Sequence, residues 1–458
     1  MFTNELFGKY RVVLVAICVN MMSFTIGTYV GWTSPVMPKL RDQTADSPLN
    51  VGVTAAQEGW ISSLTSIGAF ASSLFVGQLA TYVGRKWTLL GSGFIIAASY
   101  LFLIFGKHIW FIYVARFLQG FGGGGGAAMV PMYVGEISTD DTRGALGSLI
   151  TIFIVGGILF TYIIGPYVNY LSLQICCMAV AVSFLVTFVF MPESPYYYAI
   201  KGRKTDVIKS LQLLRGKNAQ DVEDEMLKIQ TEVDESMANK SGLMDLARNS
   251  VYRKSAFIVV GLLVFQQMSG ATAVTFNSQS IFINAGSTLD PAVATIILGV
   301  VQLVSNLMTP FVIERTGRKT ILYVSAIGIG VALIALGTFF YIQAFKNASN
   351  ILWLPVPALI MFNAFYGFGF GPIPWAMMGE MLPSNIKPTV TSIACSCTWA
   401  VTFVVTRWYP EINALGAYYA FWMFAGFVGL GIVFIKFVVI ETKGLSLQMI
   451  QEKLKGST

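Results

Sequence analysis

Residues 291–319 read PAVATIILGVVQLVSNLMTPFVI-ERTGRK, and this stretch decides the fold. No charge occurs from Pro291 to Ile313; then Glu314, Arg315, Arg318 and Lys319 arrive together. A helix needs about 20 mostly apolar residues to cross the hydrocarbon core of a bilayer. Backbone polar groups must be satisfied internally there. The stretch therefore reads as a membrane-spanning helix that stops at a charged interface. Leu90–Gly106 and Ala145–Leu173 are uncharged in the same way. A β-barrel would show short alternating segments, and the sequence has none.

The whole chain follows this pattern. Of its 458 residues 55% are hydrophobic and only 12% charged, with a mean hydropathy of +0.66. A soluble chain would carry roughly a quarter charged residues. Runs near 11–32, 57–80, 88–106, 109–134, 145–168 and 172–191 predict the first spans. Runs near 255–283, 291–313, 320–342, 352–375, 389–410 and 417–440 predict the rest, about 12 in all. The first run follows Lys9 and Arg11 as a signal peptide might, but it continues to Trp32 without a small-residue cleavage pattern.

Charge sets the orientation. Arg85 and Lys86, Arg143, Arg315, Arg318 and Lys319, and Lys387 fall in loops on one face, with both termini and the long central loop. The positive-inside rule makes that face cytoplasmic. Lys39, Arg41, Lys107 and Lys346 are the main exceptions. This distribution also accounts for the net charge of +7 without a nucleic-acid partner. Cys18, Cys176, Cys177, Cys395 and Cys397 lie inside apolar runs, which suits neither a disulfide framework nor a zinc site. The only histidine, His108, falls in an outer loop, and no nucleophile–base pair argues for an enzyme.

The chain divides into an N-terminal half (1–192), a linker (193–253), a C-terminal half (254–440) and a tail (441–458). In the linker, Thr205 is expected to cap a short helix ending at Gly216. Val222, Met226, Ile229 and Val233 then form one apolar stripe on a charged helix. The halves repeat each other. Gly84-Arg85-Lys86 recurs as Gly317-Arg318-Lys319, Glu136 and Arg143 as Glu380 and Lys387, and Glu193 as Glu441. Repeats related by an axis along the membrane normal are a transporter architecture. These carboxylates and cations are expected to pair across the halves and hold the cytoplasmic side shut. Exposed pairs contribute about 0–1 kcal/mol each, enough for a network to bias a two-state equilibrium.

These residues resemble the sugar-porter branch of the major facilitator superfamily over almost the whole chain. The resemblance rests on Glu314-Arg315-Thr316-Gly317-Arg318-Lys319 and on the run from Arg116 through the glycines to Pro131, Tyr133 and Glu136. It rests also on Pro192-Glu193-Ser194-Pro195, Glu441-Thr442-Lys443-Gly444, Gln266-Gln267-Met268-Ser269-Gly270 and Gly371-Pro372-Ile373-Pro374-Trp375. It implies an all-α membrane protein of twelve helices in two pseudo-symmetric halves, working by alternating access. Its gate positions here are Arg85, Glu136, Arg143, Glu193, Glu314, Arg315, Arg318, Glu380, Lys387 and Glu441. Thr81, Tyr196 and Lys387 depart from the family pattern, which has an acid, an arginine and an arginine there. The glycine run Gly122–Gly126 lacks a phosphate-loop lysine and suits close helix packing instead.

Sugar recognition needs paired donors and acceptors, which amides supply, and flat apolar rings, which tryptophan supplies. Gln266 and Gln267 lie mid-span before Gly270, which can break the helix. Gln302, Trp375, Thr398 and Trp399 are also embedded. The resemblance places the family's sugar-contacting amides at Thr151, Thr272, Gln302 and Thr398, so three long amides have become short hydroxyls. That change widens the cavity toward a second ring. Gly31-Trp32-Thr33-Ser34-Pro35 resembles the trehalose-transporting branch found in insects. The expected protein is a facilitative sugar carrier in the plasma membrane, with no cofactor and no metal. Its expected partners are the sugar and membrane lipid, with no nucleic acid and no obligatory protein. Trehalose is the expected substrate, with a hexose, a proton-coupled symporter or a sugar receptor as alternatives. The short tail after Glu441 disfavours the receptor. Related symporters place an acid in the first span, and Val12–Met37 has none. Asn347-Ala348-Ser349 is a glycosylation sequon in an outer loop, and Asn239-Lys240-Ser241 one in the linker.

Overall fold

The computed structural model describes residues 2–42, 47–139, 142–238, 243–383, 385–445 and 447–456. Its N-terminal half is built from α1 (Phe2–Arg41), α2 (Ala55–Ser73), α3 (Val76–Tyr82), α4 (Arg85–Phe105), α5 (Ile109–Ile137), α6 (Arg143–Ile164) and α7 (Tyr170–Phe188). Short helices follow: α8 (Pro195–Ile200), α9 (Lys204–Arg215), α10 (Glu223–Ala238) and α11 (Leu243–Arg248). The C-terminal half comprises α12 (Ser250–Met268), α13 (Ala271–Ala285), α14 (Pro291–Thr316), α15 (Arg318–Phe345), α16 (Pro355–Phe365), α17 (Ile373–Met381), α18 (Lys387–Leu415) and α19 (Ala417–Phe437), followed by α20 (Leu447–Gly456).

Among the described residues 10 spans are long and apolar enough to cross a membrane, and α2 with α3 makes an eleventh, bent by 45°. The remaining long helix, α5, is diluted by its glycines. They serve packing: a Cβ on Gly120 would collide with the backbone of Thr65 on α2, and one on Gly122 with α4. The first span runs to Arg41, well past Trp32, with Pro35 and Pro38 inside it. Val12–Leu214 and Val251–Leu454 bound two separate apolar cores, one per half.

The loops at Gly84 and Gly317 and the segment after Met191 share one face, called here the basic face. The halves meet at the other. There Tyr162 donates to the Thr275 carbonyl at 2.6 Å, and the Gln279 N–H donates to Ser34 Oγ at 3.1 Å. Arg407 lies 5.0 Å from the Trp60 ring, and Trp60 packs on Phe403.

The linker packs on the N-terminal half. Val222, Met226, Ile229 and Val233 are all buried in one small core with Ala199, Val207 and Leu211. Arg215 grips Glu225 at 2.7 Å and donates to the Ile137 carbonyl at the end of α5. Gly216 ends α9 in the left-handed conformation. Thr205 is not its cap: the helix begins at Lys204 with Arg203 at the capping position and no side-chain bond, so Thr205 lies inside the first turn.

Candidate functional site

Two polar centres stand out, one at the basic face and one inside the C-terminal half. At the basic face the halves carry the same constellation. Arg85, almost fully buried, donates to Glu136 through Nη2 at 2.9 Å and Nε at 3.0 Å. Glu193 accepts the backbone N–H groups of Arg85 and Lys86, each at 3.0 Å, and so caps α4 from outside its own segment. Arg318 likewise donates to Glu380 at 2.8 Å, while Glu441 accepts from the Arg318 and Lys319 N–H groups at 2.9 and 3.0 Å. A carboxylate at a helix N-terminus is favoured by the orphan N–H groups and the helix dipole.

Gly84 and Gly317 make this approach possible. Their φ/ψ values, 112/159 and 97/154, lie in a region open essentially to glycine. A Cβ on Gly84 would collide with Glu193 Oε2, and one on Gly317 would lie 2.8 Å from Glu441 Oε2. Burial pushes the Glu193 carboxyl up from its ordinary range against the pull of its N–H donors. Burial also raises Glu441, which is less enclosed; the N–H groups of Lys443, Arg318, Lys319 and Thr442 outweigh it and hold that carboxyl low.

The pairing expected across the halves is therefore not what forms: the described ion pairs close within each half. The motif arginine starts a helix directly beside the end of its own half's neighbouring helix, and the halves make their contacts at the other face. Lys387 is exposed and bonds the Gly379 carbonyl at 3.4 Å. Arg143 is exposed at the start of α6, close to Tyr196. The side chains of Glu314 and Arg315 lie outside the described residues, as does Asn239. Thr81 bonds back to the Gly77 carbonyl, and Tyr196 donates to Glu232 in the linker at 2.7 Å. Two further members, Ser194 and Thr442, stand in the sequence motifs without an assigned role. Ser194 donates to Glu136, and Thr442 donates to Glu380 at 2.6 Å. Each directly follows a paired glutamate, so the repeat itself held the signal.

The inner centre sits where two spans break. Gly270, at φ 79, separates α12 from α13, and a π turn at Tyr366–Phe370 separates α16 from α17. Gln266 joins the breaks: its amide nitrogen donates to the carbonyls of Phe370 (2.8 Å) and Gly371. Freed backbone groups inside a membrane need such partners. Both amide hydrogens of Gln266 are thereby used, so it orients the site and keeps no N–H for a ligand. Gln267 donates to Gln266 Oε1 at 3.2 Å and accepts from Thr272 (2.9 Å) and Thr402 (3.1 Å), leaving one amide hydrogen to offer. Thr402, absent from the sequence reading, links this amide to α18 by also bonding the Thr398 carbonyl. Thr398 itself donates to the Ala394 carbonyl at 2.8 Å, which keeps its oxygen available as an acceptor.

The remaining candidates are not drawn into this chain. Gln302 is buried, with no side-chain hydrogen bond among the described residues. Trp375, in the first turn of α17, is 41% exposed, and Trp399 is half-buried. Thr151 is half-buried on α6, eight residues or about 12 Å along the helix from Leu159. Leu159 is the residue that Gly299 of α14 packs against. Asn347 accepts the Ser349 N–H in the loop after α15.

A third feature lies in the N-terminal half. Arg116 is completely buried, and its guanidinium bonds only neutral oxygens. These are Tyr29 O (2.8 Å), Gln119 Oε1 (2.9 Å), Thr33 Oγ1 (2.9 Å) and Ile61 O (3.1 Å). Trp32 lies over it at 5.0 Å. Intramembrane charges are costly and default to functional suspicion, yet among the described residues no carboxylate contacts this one.

The sequence profile described as "Sugar (and other) transporter" matches residues 12–454. The chain is 36% identical over 446 residues to the facilitated trehalose transporter of Apis mellifera ligustica, covering 97% of this chain and 88% of that one. A protein of the same name from Polypedilum vanderplanki is 36% identical over 459 residues, with 99% and 90% covered. One from Aedes aegypti is 36% identical over 458 residues and is longer, so that 56% of it is covered and 99% of this chain. Among solved structures, a proton:xylose symporter of the major facilitator superfamily bound to 6-bromo-6-deoxy-D-glucose superposes with a TM-score of 0.78 at 20% identity, covering 98% of this chain and all of that one. The inward-open conformation of the E. coli xylose transporter gives 0.79 at 20% identity, covering 96% and 99%. These likenesses show the fold.

Proposed function

Because this chain belongs to the sugar transporter family of the major facilitator fold, we propose that it carries trehalose across the plasma membrane by facilitated diffusion. The observation that carries the reading is the neutral amide–hydroxyl cluster of Gln267, Thr272 and Thr402 at the junction of two broken spans, with the Thr398 carbonyl behind Thr402. Such a cluster offers hydroxyl-matching groups without charge, and the short threonines leave room for a second sugar ring. Relatives named as facilitated trehalose transporters, over nearly the full chain, support the disaccharide.

Gln267 donates to the sugar, Gln302 and the Thr398 and Thr151 oxygens offer further polar contacts, and Trp375 and Trp399 face the rings. Gln266 positions Gln267 and Thr272 steadies its oxygen. The basic face is cytoplasmic, with both termini and the segment 193–253 on that side. The clusters of Arg85, Glu136 and Glu193 and of Arg318, Glu380 and Glu441 act as paired latches. Each keeps its half rigid, and Arg143, Glu314, Arg315 and Lys387 meet across the gap when the inner side closes.

Facilitation without proton coupling follows from the interior. Described carboxylates within the spans sit toward their ends, and Arg116 is held only by neutral carbonyl, amide and hydroxyl oxygens. Among the described residues, protonation thus finds no acid in the middle of a span. Labelled trehalose and glucose, compared in cells lacking trehalase activity, test the substrate. Saturable trehalose entry is expected; glucose entry with neither trehalose entry nor competition would replace the disaccharide by a hexose.

A further inference from the structure

A second polar recess lies at the outer face where the halves meet, displaced from the amide chain by five residues along α13 (Thr272 to Asn277, about 7.5 Å) and seven along α18 (Thr402 to Tyr409, about 10 Å). Its walls come from both: Arg41 at the end of α1 and Glu58 on α2, then Asn277 and Ser280 on α13, then Tyr409 and Asn413 on α18. The cavity measures about 340 Å³, within the range of small-molecule sites, roughly 300–1,000 Å³.

Three properties define what would fit. Arg41 Nη2 bonds both oxygens of the buried Glu58, at 2.8 and 3.0 Å, so the recess presents paired charges and no net charge. Ser280 Oγ and Tyr409 Oη are buried and have no hydrogen-bond partner. Each such group left unmet costs about 1–3 kcal/mol. Asn277 spends its nitrogen on the Ala273 carbonyl and retains its oxygen. Hydroxyl donors, an amide acceptor and a neutralised ion pair around a small cavity match a neutral polyhydroxylated solute and reject an anion.

We propose that this recess is a second, outer sugar-binding site whose occupancy favours the outward-closed conformation. The proposal rests on the sugar-carrier reading above. Ligand bound to walls supplied by both halves must stabilise the state in which those walls meet, and disfavour the one in which they part. External sugar thus acts twice: as cargo at the inner centre, and at high concentration as a brake that slows reopening.

The test uses the full-length Asn413→Cys protein in lipid nanodiscs, labelled with a maleimide, with the unsubstituted protein as the background of native cysteines. Trehalose is the probe. Labelling should slow about ten-fold at ten times the outer-site dissociation constant. The slowing should persist when Gln267→Ala is added, and disappear with Ser280→Ala plus Tyr409→Phe, which remove only hydroxyls. No protection, or protection that follows Gln267 and ignores the two hydroxyls, overturns the outer site. Trehalose uptake by the unsubstituted protein in liposomes is measured in parallel. Absent uptake sinks the carrier reading, whereas uptake without protection sinks the outer site alone.

Discussion

Replacing Gly317 by alanine tests the latch at its narrowest point. The residue holds φ 97 and ψ 154, a conformation costing a non-glycine residue about 1–3 kcal/mol. An added Cβ would stand 2.8 Å from Glu441 Oε2, so the carboxylate must withdraw from the Arg318 and Lys319 N–H groups. Loss of a helix cap costs about 0.5–2 kcal/mol. The two terms together amount to roughly 1.5–5 kcal/mol. Local opening of the first turn of α15 should then become at least about 12-fold easier, since every 1.4 kcal/mol is ten-fold. Hydrogen exchange of the Arg318 and Lys319 amides in nanodiscs reads this directly. Gly84→Ala should act more strongly, because Glu193 is more deeply buried and the collision closer. Gly379→Ala is the control: it lies inside α17 with no atom within 4 Å of an added Cβ, and should leave both amides unchanged. Equal exchange in Gly317→Ala and Gly379→Ala would refute the capping argument.

Gln267→Ala, at normal surface expression, should weaken trehalose affinity by roughly ten-fold or more, from about 1–3 kcal/mol per unmet buried group; unchanged affinity in a binding assay would remove it from the site. Gln266→Leu should strand the Phe370 and Gly371 carbonyls, so it should lower the melting temperature as well as transport, and by more than Gln267→Ala does, since Thr402 keeps the Thr398 carbonyl as acceptor when Gln267 is lost. The two capping glutamates should respond oppositely to acid. Glu441 is held low, so its stabilisation exists above the ordinary carboxylate range and fades as pH falls through its own pKa. Glu193 is raised, so its contribution is fully present below that range and fades as pH rises. Melting curves over pH should therefore show the wild-type advantage over Glu441→Gln shrinking on acidification and that over Glu193→Gln not shrinking.

The spans and their order were legible in the sequence because apolar length and charge placement are one-dimensional signals. The broken spans were partly so: Gly270 marks its break by identity, whereas the π turn at Tyr366–Phe370 holds Gly367 and Gly369 and precedes Gly371-Pro372, yet these residues do not by themselves say where the helix opens. Gln267 was recognisable as a polar group in an apolar run. That Gln266 spends its hydrogens on Phe370 and Gly371 was not, since those carbonyls lie about a hundred residues away. Thr402 escaped for a related reason: a threonine in a helix ordinarily bonds its own backbone, and only the packing of α12 on α18 aims it at Gln267. The paired charges at the basic face were expected from repetition, but repetition does not say which copy pairs with which. The partners proved to lie within each half, fixed by two glycine conformations that sequence spacing does not encode.

The central claim, facilitated carriage of trehalose, is tested most directly by the purified protein in sealed liposomes. Labelled trehalose is followed to its plateau with and without an imposed proton gradient. The account predicts saturable entry that stops when inside and outside concentrations are equal, at a level that neither the gradient nor a protonophore changes. Accumulation above the outside concentration that a protonophore abolishes, or no trehalose entry at all, would contradict it.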